Sequence, residues 1–219
     1  LPGARRGRGR RRGLWRATIA VHSASGHSGS RRTAPGAVSR AAHLVRLLEE
    51  AELPGSHGEF PLPPKPTASS CHGGQGFSVV PGRCELGVDL RTTPAFDARP
   101  AERLVREAVR ELDPRAPAPR PTTLTPVASW PPYRLAEHQQ PTAALLEAAA
   151  RQGLSVRPKT ADPSNIGNLP AAGEGIPATA AFGRPVRGLH DVDERARLGD
   201  LPAVHAVCRR AVLSLLGAP

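Results

Sequence analysis

Five polar residues in this sequence have side chains that bind metals or anions, and each lies in a loop or near the end of a candidate strand. They are His27, Arg91, Asn165, Asn168 and His190. A neutral imidazole is a common zinc ligand, and a planar guanidinium binds both oxygens of a carboxylate. Loops that follow strands often present such side chains, so residues of these types in such positions could do chemistry, although residue type alone does not separate these five from the other histidines and arginines of the chain.

Each candidate also has a purely structural interpretation. His190 lies in the sequence GLHDVDE, where Asp191 or Asp193 could hold its ring by a hydrogen bond in an ordinary surface loop. Asn165 and Asn168 lie in TADPSNIGN, and asparagine is common in turns without any further role. Both interpretations remain open from the residues alone.

For the other two candidates, a structural and a functional interpretation are equally open. His27 is in the loop SASGHSGS, which its ring could hold together through backbone hydrogen bonds. Arg91 alternates with Asp89 and Glu85 along a candidate strand, so a salt bridge on that strand face competes with anion binding.

The elements that position these residues follow from hydrophobic periodicity. Apolar residues recur at helical spacing in two segments and alternate in others, which predicts the order strand, helix, strand, strand, helix, strand. The predicted ranges are 14–22, 36–53, 67–72, 83–92, 99–113 and 122–127. This order is that of a ferredoxin-like βαββαβ sandwich over residues 14–128, with two helices on one face of a four-stranded sheet.

After Trp130 the pattern changes to that of an α/β domain, over residues 129–219. We expect a helix at 140–152, a short strand at 178–182 and a final helix that Asp200 caps. Val204, Val207, Cys208, Ala211, Val212 and Leu215 predict a long buried stripe on that final helix. These elements resemble the end of a domain whose beginning lies elsewhere.

Three segments, in this order along the chain, carry a family resemblance. They are GHSGSRRTAPGAVSRAAHLVRLL around His27, SVVPGRCELGVDLRTTP at 78–94, and GIPATAAFG followed by GLHDVDE at 175–194. They resemble the two-zinc amidohydrolase and exopeptidase family of acetylornithine deacetylase, succinyl-diaminopimelate desuccinylase and carboxypeptidase G. The resemblance covers nearly all of residues 14–216. It implies an α/β protein with a ferredoxin-like dimerisation domain followed by the C-terminal portion of a zinc-hydrolase domain.

The resemblance also implies an activity and a role for each candidate residue. The reaction would be hydrolysis of the amide bond of an N-acyl amino acid or related small molecule, by a homodimer with two zinc ions, or cobalt as a substitute, per site. His190 would be a zinc ligand, and His27 would donate a hydrogen bond to the oxyanion across the dimer. Arg91 would bind the substrate carboxylate, and Asn165 and Asn168 would lie near the substrate.

Several departures from the family pattern matter. The sequence lacks the family's His-x-Asp pair, its bridging aspartate and its catalytic Glu-Glu pair, because Glu49 and Glu50 lie on an amphipathic helix and are interpreted as solvated. Ser78 stands where asparagine is more common, and His22 where glycine is common. We therefore expect an N-terminally truncated, inactive chain, with a non-catalytic homodimerisation module as the alternative.

Composition narrows the remaining possibilities. The formal net charge of +11 includes six arginines in one run, Arg5, Arg6, Arg8, Arg10, Arg11 and Arg12. Residues 1–13 have nothing to bury and are predicted to be disordered, although the run falls where the family has a connecting strand. Base-stacking aromatics are only 3% of the chain, so we expect no nucleic-acid partner. No apolar run reaches bilayer length and the three cysteines are scattered, so we expect a soluble, cytoplasmic protein without a membrane partner.

Overall fold

The computed structural model describes residues 5–31, 34–56, 58, 60–115, 118–136, 138–161, 164–178, 182–183 and 186–217. The chain divides into two compact units. One unit is Gly13–Pro131, and the other combines Leu1–Arg12 with Pro132–Pro219. The predicted boundaries, at 13/14 and 128/129, differ from these by one and three residues. The sequence-based prediction left out Gly13 at the start of one strand and the last residues of another.

The described residues form eleven strands and five α-helices. The strands are β1 (Arg5–Arg11), β2 (Gly13–His22), β3 (Gly26–His27), β4 (Lys65–Gly73), β5 (Val79–Val80), β6 (Arg83–Thr92), β7 (Thr123–Trp130), β8 (Tyr133–Arg134), β9 (Val156–Ala161), β10 (Val186–Arg187) and β11 (Arg195–Ala196). The helices are α1 (Ala37–Glu49), α2 (Ala98–Arg115), α3 (Thr142–Arg151), α4 (Asn168–Gly173) and α5 (Leu201–Leu215). None of the described helices is both long and apolar enough to cross a bilayer.

The Gly13–Pro131 unit has the predicted fold. Its four-stranded sheet has the order β4-β6-β2-β7, and all neighbouring strands are antiparallel. Helices α1 and α2 pack against each other and against this sheet. The βαββαβ order and the mixed α/β fold class are therefore confirmed. The short strands β3 and β5 pair outside the main sheet.

Alternation of side chains explains which face of the sheet the helices cover. On β2 and β6 every second residue is buried, and the two helices add their apolar stripes to the same core. These core residues are Trp15, Ala17, Ile19, Val21, Cys84, Leu86, Val88 and Leu90 from the strands, with Ala41, Leu44, Leu48, Ala101, Val105, Ala108 and Leu112 from the helices. Each large side chain buried in this way contributes about 1.5–3 kcal/mol. The opposite face of β6 presents Glu85, Asp89 and Arg91.

The prediction of disorder over residues 1–13 is wrong for Arg5–Arg11. This segment is the central strand of a three-stranded sheet with the order β8-β1-β9, and it runs parallel to β9 from Arg5 opposite Val156 to Arg11 opposite Ala161. The pairing uses backbone N–H and C=O groups, which every residue type in the run provides. Arg11 is 4% exposed, so even a charged residue of the run is buried by neighbours that are distant in sequence.

The rest of the second unit is built around α3 and α5. Their core is small and alanine-rich, and its buried members are Ala144, Ala148, Ala149, Val207 and Ala211. The stripe predicted on α5 is only partly buried, because Val212 is 53% and Leu215 is 44% exposed. Helix α5 begins directly after Asp200, but the Asp200 side chain makes no capping hydrogen bond. The predicted strand at 178–182 falls mainly on residues 179–181, which lie outside the described residues.

Candidate functional site

His27 lies on a short ladder at one end of the main sheet. In this ladder His27 is opposite Val79, and the Ser28 N–H donates to the Ser78 carbonyl at 2.9 Å. The His27 side chain is exposed, and its Nδ1 accepts a hydrogen bond from the Gly29 N–H at 3.1 Å. The ring therefore does hold its own loop, as the structural interpretation predicted.

The same hydrogen bond determines what else the ring can do. Because Nδ1 accepts, the neutral imidazole carries its proton on Nε2, which makes Nε2 a donor. An exposed N–H donor on an anchored loop is suited to a carbonyl oxygen or an oxyanion. The structural and functional interpretations of His27 are thus compatible with each other.

The base of this loop is tied to α1 through one turn. The Ser23 N–H donates to the Gly82 carbonyl at 3.0 Å, while the Ser23 hydroxyl and the Ala37 N–H both donate to the Pro81 carbonyl, at 2.9 and 3.0 Å. At Gly36 an added Cβ would lie 2.6 Å from Cγ1 of Val80, so this close approach requires glycine. These contacts fix the position at which the His27 loop leaves the sheet.

A cleft of about 450 Å³ opens at the same end of the unit. Its polar lining includes His22, Ser23, Ser25, Arg83 and Arg120. Of the two arginines in this lining, Arg83 also pairs with Glu85. In the sequence His22 stands out only as a departure from glycine, and no pattern distinguishes Arg83 and Arg120 from the many other arginines of the chain.

Arg91 lies on the sheet face opposite the helices and forms the ion pair that its structural interpretation predicted. Its Nε is 2.8 Å from Oδ1 of Asp89, and Arg16 Nε donates to Oδ2 of the same carboxylate at 2.7 Å. Glu85 pairs with Arg83. The Arg91 side chain is 26% exposed, so it is partly accessible from solvent.

His27 and Arg91 do not converge within the unit. His27 follows the end of β2 at which His22 is opposite Arg83, whereas Arg91 is opposite Leu14 at the other end of the strand. The eight residue steps from Arg83 to Arg91 span roughly 26 Å at about 3.3 Å per step. One copy of this unit therefore presents an imidazole and a guanidinium at opposite ends of the sheet.

Asn165 and Asn168 have structural roles in the second unit. Asn168 is fully buried, its Nδ2 donates to the Arg12 carbonyl at 3.0 Å, and its Oδ1 accepts from the Asn165 N–H at 3.0 Å. Oδ1 of Asn165 accepts from the Gly167 N–H at 3.0 Å. These bonds shape the turn before α4 and join it to the chain that leaves β1. Contact with a substrate remains a prediction for both residues.

His190 lies on the loop between β10 and β11 and has an unusual backbone. Its φ is 66°, in the left-handed region that non-glycine residues seldom occupy. The His190 N–H donates to Oε2 of Glu194 at 3.1 Å, whereas the exposed ring makes no hydrogen bond to Asp191 or Asp193, both of which are described residues. His190 is thus an exposed loop histidine whose ring neither aspartate holds. Such strained positions often occur at functional sites.

The described residues do not fit a complete zinc site. Within them, no three or more His, Cys, Asp and Glu side chains are grouped so that they could hold a metal ion. Zinc sites in proteins use at least three protein ligands, so the described residues do not by themselves complete one. Glu49 and Glu50 are exposed, and Glu50 pairs with Arg46 at 3.0 Å, which confirms the prediction that they are solvated.

Known proteins are similar to this chain in sequence and in fold. Residues 10–117 match the family model of the peptidase dimerisation domain. No curated protein sequence matches the chain.

Solved structures resemble nearly the whole chain at low identity. An amidase of the hydantoinase/carbamoylase family from Burkholderia vietnamiensis is 20% identical with a TM-score of 0.74, over 94% of this chain and 48% of its own. The dipeptidase Dug1p from Saccharomyces cerevisiae is 11% identical with a TM-score of 0.77, over 99% and 57%. A tripeptidase from Staphylococcus aureus is 14% identical with a TM-score of 0.69, over 96% and 54%.

At these identities the likeness concerns the fold, and the chain spans about half the length of the structures that it matches. The sequence match covers both helices and three of the four strands of the Gly13–Pro131 unit, and strand β7 lies beyond it. Residues 10–117 of this protein are therefore similar in sequence to the peptidase dimerisation domain.

Proposed function

We propose that this chain is the dimerisation domain and the C-terminal portion of the catalytic domain of a homodimeric amide hydrolase. The carrying observation is that residues 10–117 match a peptidase dimerisation domain. The matching structures include an amidase, a dipeptidase and a tripeptidase, which supports amide or peptide bonds as the target. Within that class we propose N-acyl amino acids or related small molecules as substrates, as in the acetylornithine deacetylase, desuccinylase and carboxypeptidase G group. We propose that the enzyme is cytoplasmic and that it has no nucleic-acid or membrane partner.

His27 is the proposed catalytic residue of the dimerisation domain. Its loop is anchored through Ser23 and Ser28, and its Nδ1 is already occupied by the Gly29 N–H. The Nε2 proton would then be donated to the oxyanion of a substrate bound to the partner protomer. An anchored donor needs little reorganisation during the reaction, which is the physical advantage of this arrangement.

Arg91 is the proposed ligand of the substrate carboxylate. Arg91 and Arg16 both pair with the single carboxylate of Asp89, and the Arg91 side chain is 26% exposed. A substrate carboxylate would therefore reach the Arg91 guanidinium from solvent. The planar Arg91 guanidinium has the fork geometry for two-point binding.

His190 is the proposed metal ligand of this chain, with zinc as the metal and cobalt as a substitute. Its exposed ring on a strained loop supports a ligand role. Asn165 and Asn168 shape the turn before α4, which belongs to the same unit as His190. One histidine binds zinc weakly, so we propose that the chain by itself does not turn over substrate. The remaining ligands of a complete enzyme would come from residues outside the described ones.

A non-catalytic homodimerisation module is the second candidate. It is favoured by the absence of a three-ligand group within the described residues, while the sequence match falls on the dimerisation domain itself. Both candidates require self-association. They differ in whether a form that includes the upstream coding sequence hydrolyses amides.

The test combines mass in solution with hydrolysis of N-acetylated amino acids. Sedimentation should give twice the chain mass of 23.0 kDa, and the chain should be inactive. A form extended at its amino terminus with upstream coding sequence should be active, and His27→Ala should lower its kcat while leaving the dimer intact. His72→Ala, on the exposed edge strand β4, is the matched control. A monomer at all concentrations would contradict both candidate functions. A dimer whose extended form is inactive would exclude the amide hydrolase and support the non-catalytic homodimerisation module.

A further inference from the structure

Two of the three cysteines lie side by side on neighbouring strands. Cys71 is on the edge strand β4 opposite Leu86, and Cys84 is on β6 opposite Gly73, so the two cysteines are diagonal partners across one ladder. Because Cys71 and Gly73 are two residues apart, both side-chain positions face the same side of the sheet as Cys84. The two sulfur atoms are 3.6 Å apart.

Glycine at position 73 creates the space for this approach. A Cβ built at Gly73 would lie 2.9 Å from Sγ of Cys84 and 3.0 Å from Cγ2 of Val38. Any larger residue would push the Cys84 side chain away from β4. The strand pair is therefore shaped so that the Cys84 sulfur reaches beneath the edge strand toward Cys71.

The two thiols differ in their access to solvent. Cys71 is exposed, whereas Cys84 is fully buried. Burial, together with the neighbouring Cys71 thiol, raises the pKa of Cys84 from 9.0 to about 11. Cys84 therefore stays protonated at neutral pH, and Cys71 is the thiol that a dissolved oxidant meets first.

We propose that Cys71 and Cys84 form an oxidation site that hydrogen peroxide converts to a reversible intramolecular disulfide. In the first step the Cys71 thiolate attacks the peroxide, the O–O bond breaks, and Cys71 becomes a sulfenic acid as hydroxide leaves. In the second step Sγ of Cys84 attacks Sγ of Cys71, the S–O bond breaks, and the Cys84 proton leaves with the hydroxyl group as water. One peroxide is reduced to two waters for each disulfide formed.

Geometry predicts a bond that reductants break easily. The sulfurs must close from 3.6 Å to about 2.05 Å. Diagonal partners on an antiparallel ladder are farther apart than directly opposed residues, so the bridge forms under strain. Strained disulfides have more oxidising potentials than structural ones. A thiol reductant therefore restores both cysteines by thiol–disulfide exchange, and the disulfide removes the Cys71 sulfenic acid before it reaches irreversible oxidation states.

The test uses the full chain, dilute hydrogen peroxide and peptide mapping without reduction. The expected result is one disulfide-linked peptide pair containing Cys71 and Cys84, with Cys208 still open to alkylation, and full reversal by dithiothreitol. Cys71→Ser and Cys84→Ser should each abolish the pair. Cys208→Ser, in the other unit, is the matched control and should retain it.

Trapping of sulfenic acid by dimedone separates the two steps. Cys84→Ser should accumulate dimedone-labelled Cys71, because its resolving thiol is gone, while the unaltered chain should accumulate little. Equal labelling of Cys71 in both proteins would overturn the proposal, as would a disulfide formed only between chains. Tryptophan fluorescence confirms that each serine variant is folded, since Trp15 is 2% exposed in the same unit.

Discussion

The ion pair between the buried Arg40 on α1 and the partly exposed Asp113 on α2 gives the sharpest test of how the Gly13–Pro131 unit is held together. The Arg40 side chain is 1% exposed, and its Nη2 donates to Oδ1 of Asp113 at 2.7 Å. Asp113 also accepts from the Thr122 N–H at 3.1 Å and the Thr122 hydroxyl at 2.6 Å. One carboxylate thus links both helices to the segment that enters β7.

Removal of Asp113 should cost more than removal of both charges. Nε and Nη1 of Arg40 have no hydrogen-bond partner among the described residues, so Asp113→Ala leaves a buried guanidinium without its counter-charge. Breaking a buried pair from one side costs about 3–5 kcal/mol, whereas replacing both charges by apolar groups is often nearly neutral. We expect Asp113→Ala to lower the free energy of unfolding by about 4 kcal/mol, and Arg40→Met combined with Asp113→Ala to regain about 2 kcal/mol of that loss.

Urea unfolding followed by tryptophan fluorescence measures these values for the correct unit. Both tryptophans of the chain, Trp15 and Trp130, lie within Gly13–Pro131. A double-mutant cycle with Arg40→Met, Asp113→Ala and their combination isolates the coupling free energy. If the double variant is destabilised by the sum of the two single effects, the buried cation is not the source of the cost and the reasoning fails.

Three further outcomes follow from other parts of the structure. Because the pKa of Cys84 is raised from 9.0 to about 11 in the folded chain, stability should be complete below pH 9.0 and fall as the pH approaches 11. The loss should be about 3 kcal/mol; tryptophan-monitored unfolding of Cys84→Ala should lack this slope. Asn168→Ala, which removes the bond to the Arg12 carbonyl, should lower the stability of the second unit by about 1–3 kcal/mol. In the Asn168→Ala variant, hydrogen exchange in β1 should become faster than in the unaltered chain while exchange in β6 does not. Unchanged exchange in β1 would contradict this loss of stability. His190→Gly should melt higher than His190→Ala in circular dichroism, because alanine is strained at a φ of 66°; the reverse order would exclude the left-handed backbone.

The sequence predicted the elements whose core has a clear period. Strand Arg83–Thr92 alternates without exception and was placed at its observed bounds. Helices α1 and α2 repeat apolar residues at helical spacing, and both were predicted to within a few residues at each end. In these elements local pattern and tertiary packing specify the same structure.

The arginine strand shows where sequence patterns fail. Its residues carry no apolar period, and its stability comes from pairing with Val156–Ala161, which is distant in the sequence. The composition of the segment shows only that it has no apolar residues to bury, which predicted disorder. A strand at the centre of a sheet needs partners, and no window of sequence contains them.

The sequence was sufficient to name individual candidate residues of the site, but not the residues from other elements that pair with them. The pairing of Arg91 with Asp89 was foreseen because the two alternate on one strand. The second arginine on that carboxylate, Arg16, was not foreseen, because β2 and β6 meet only after folding. The tautomer of His27 likewise depends on a backbone N–H whose direction only the folded loop defines.

Zinc content per chain after dialysis against a weak chelator tests the central claim most directly. We predict no tightly held zinc in the 219-residue chain, near-stoichiometric zinc in a form extended upstream, and loss of that zinc in the extended His190→Ala variant. The extended His205→Ala variant, altered on helix α5, should keep its zinc. Zinc retained equally by both extended variants would remove His190 as a ligand, and no zinc in any form would contradict the assignment of this chain to a metal-dependent amide hydrolase.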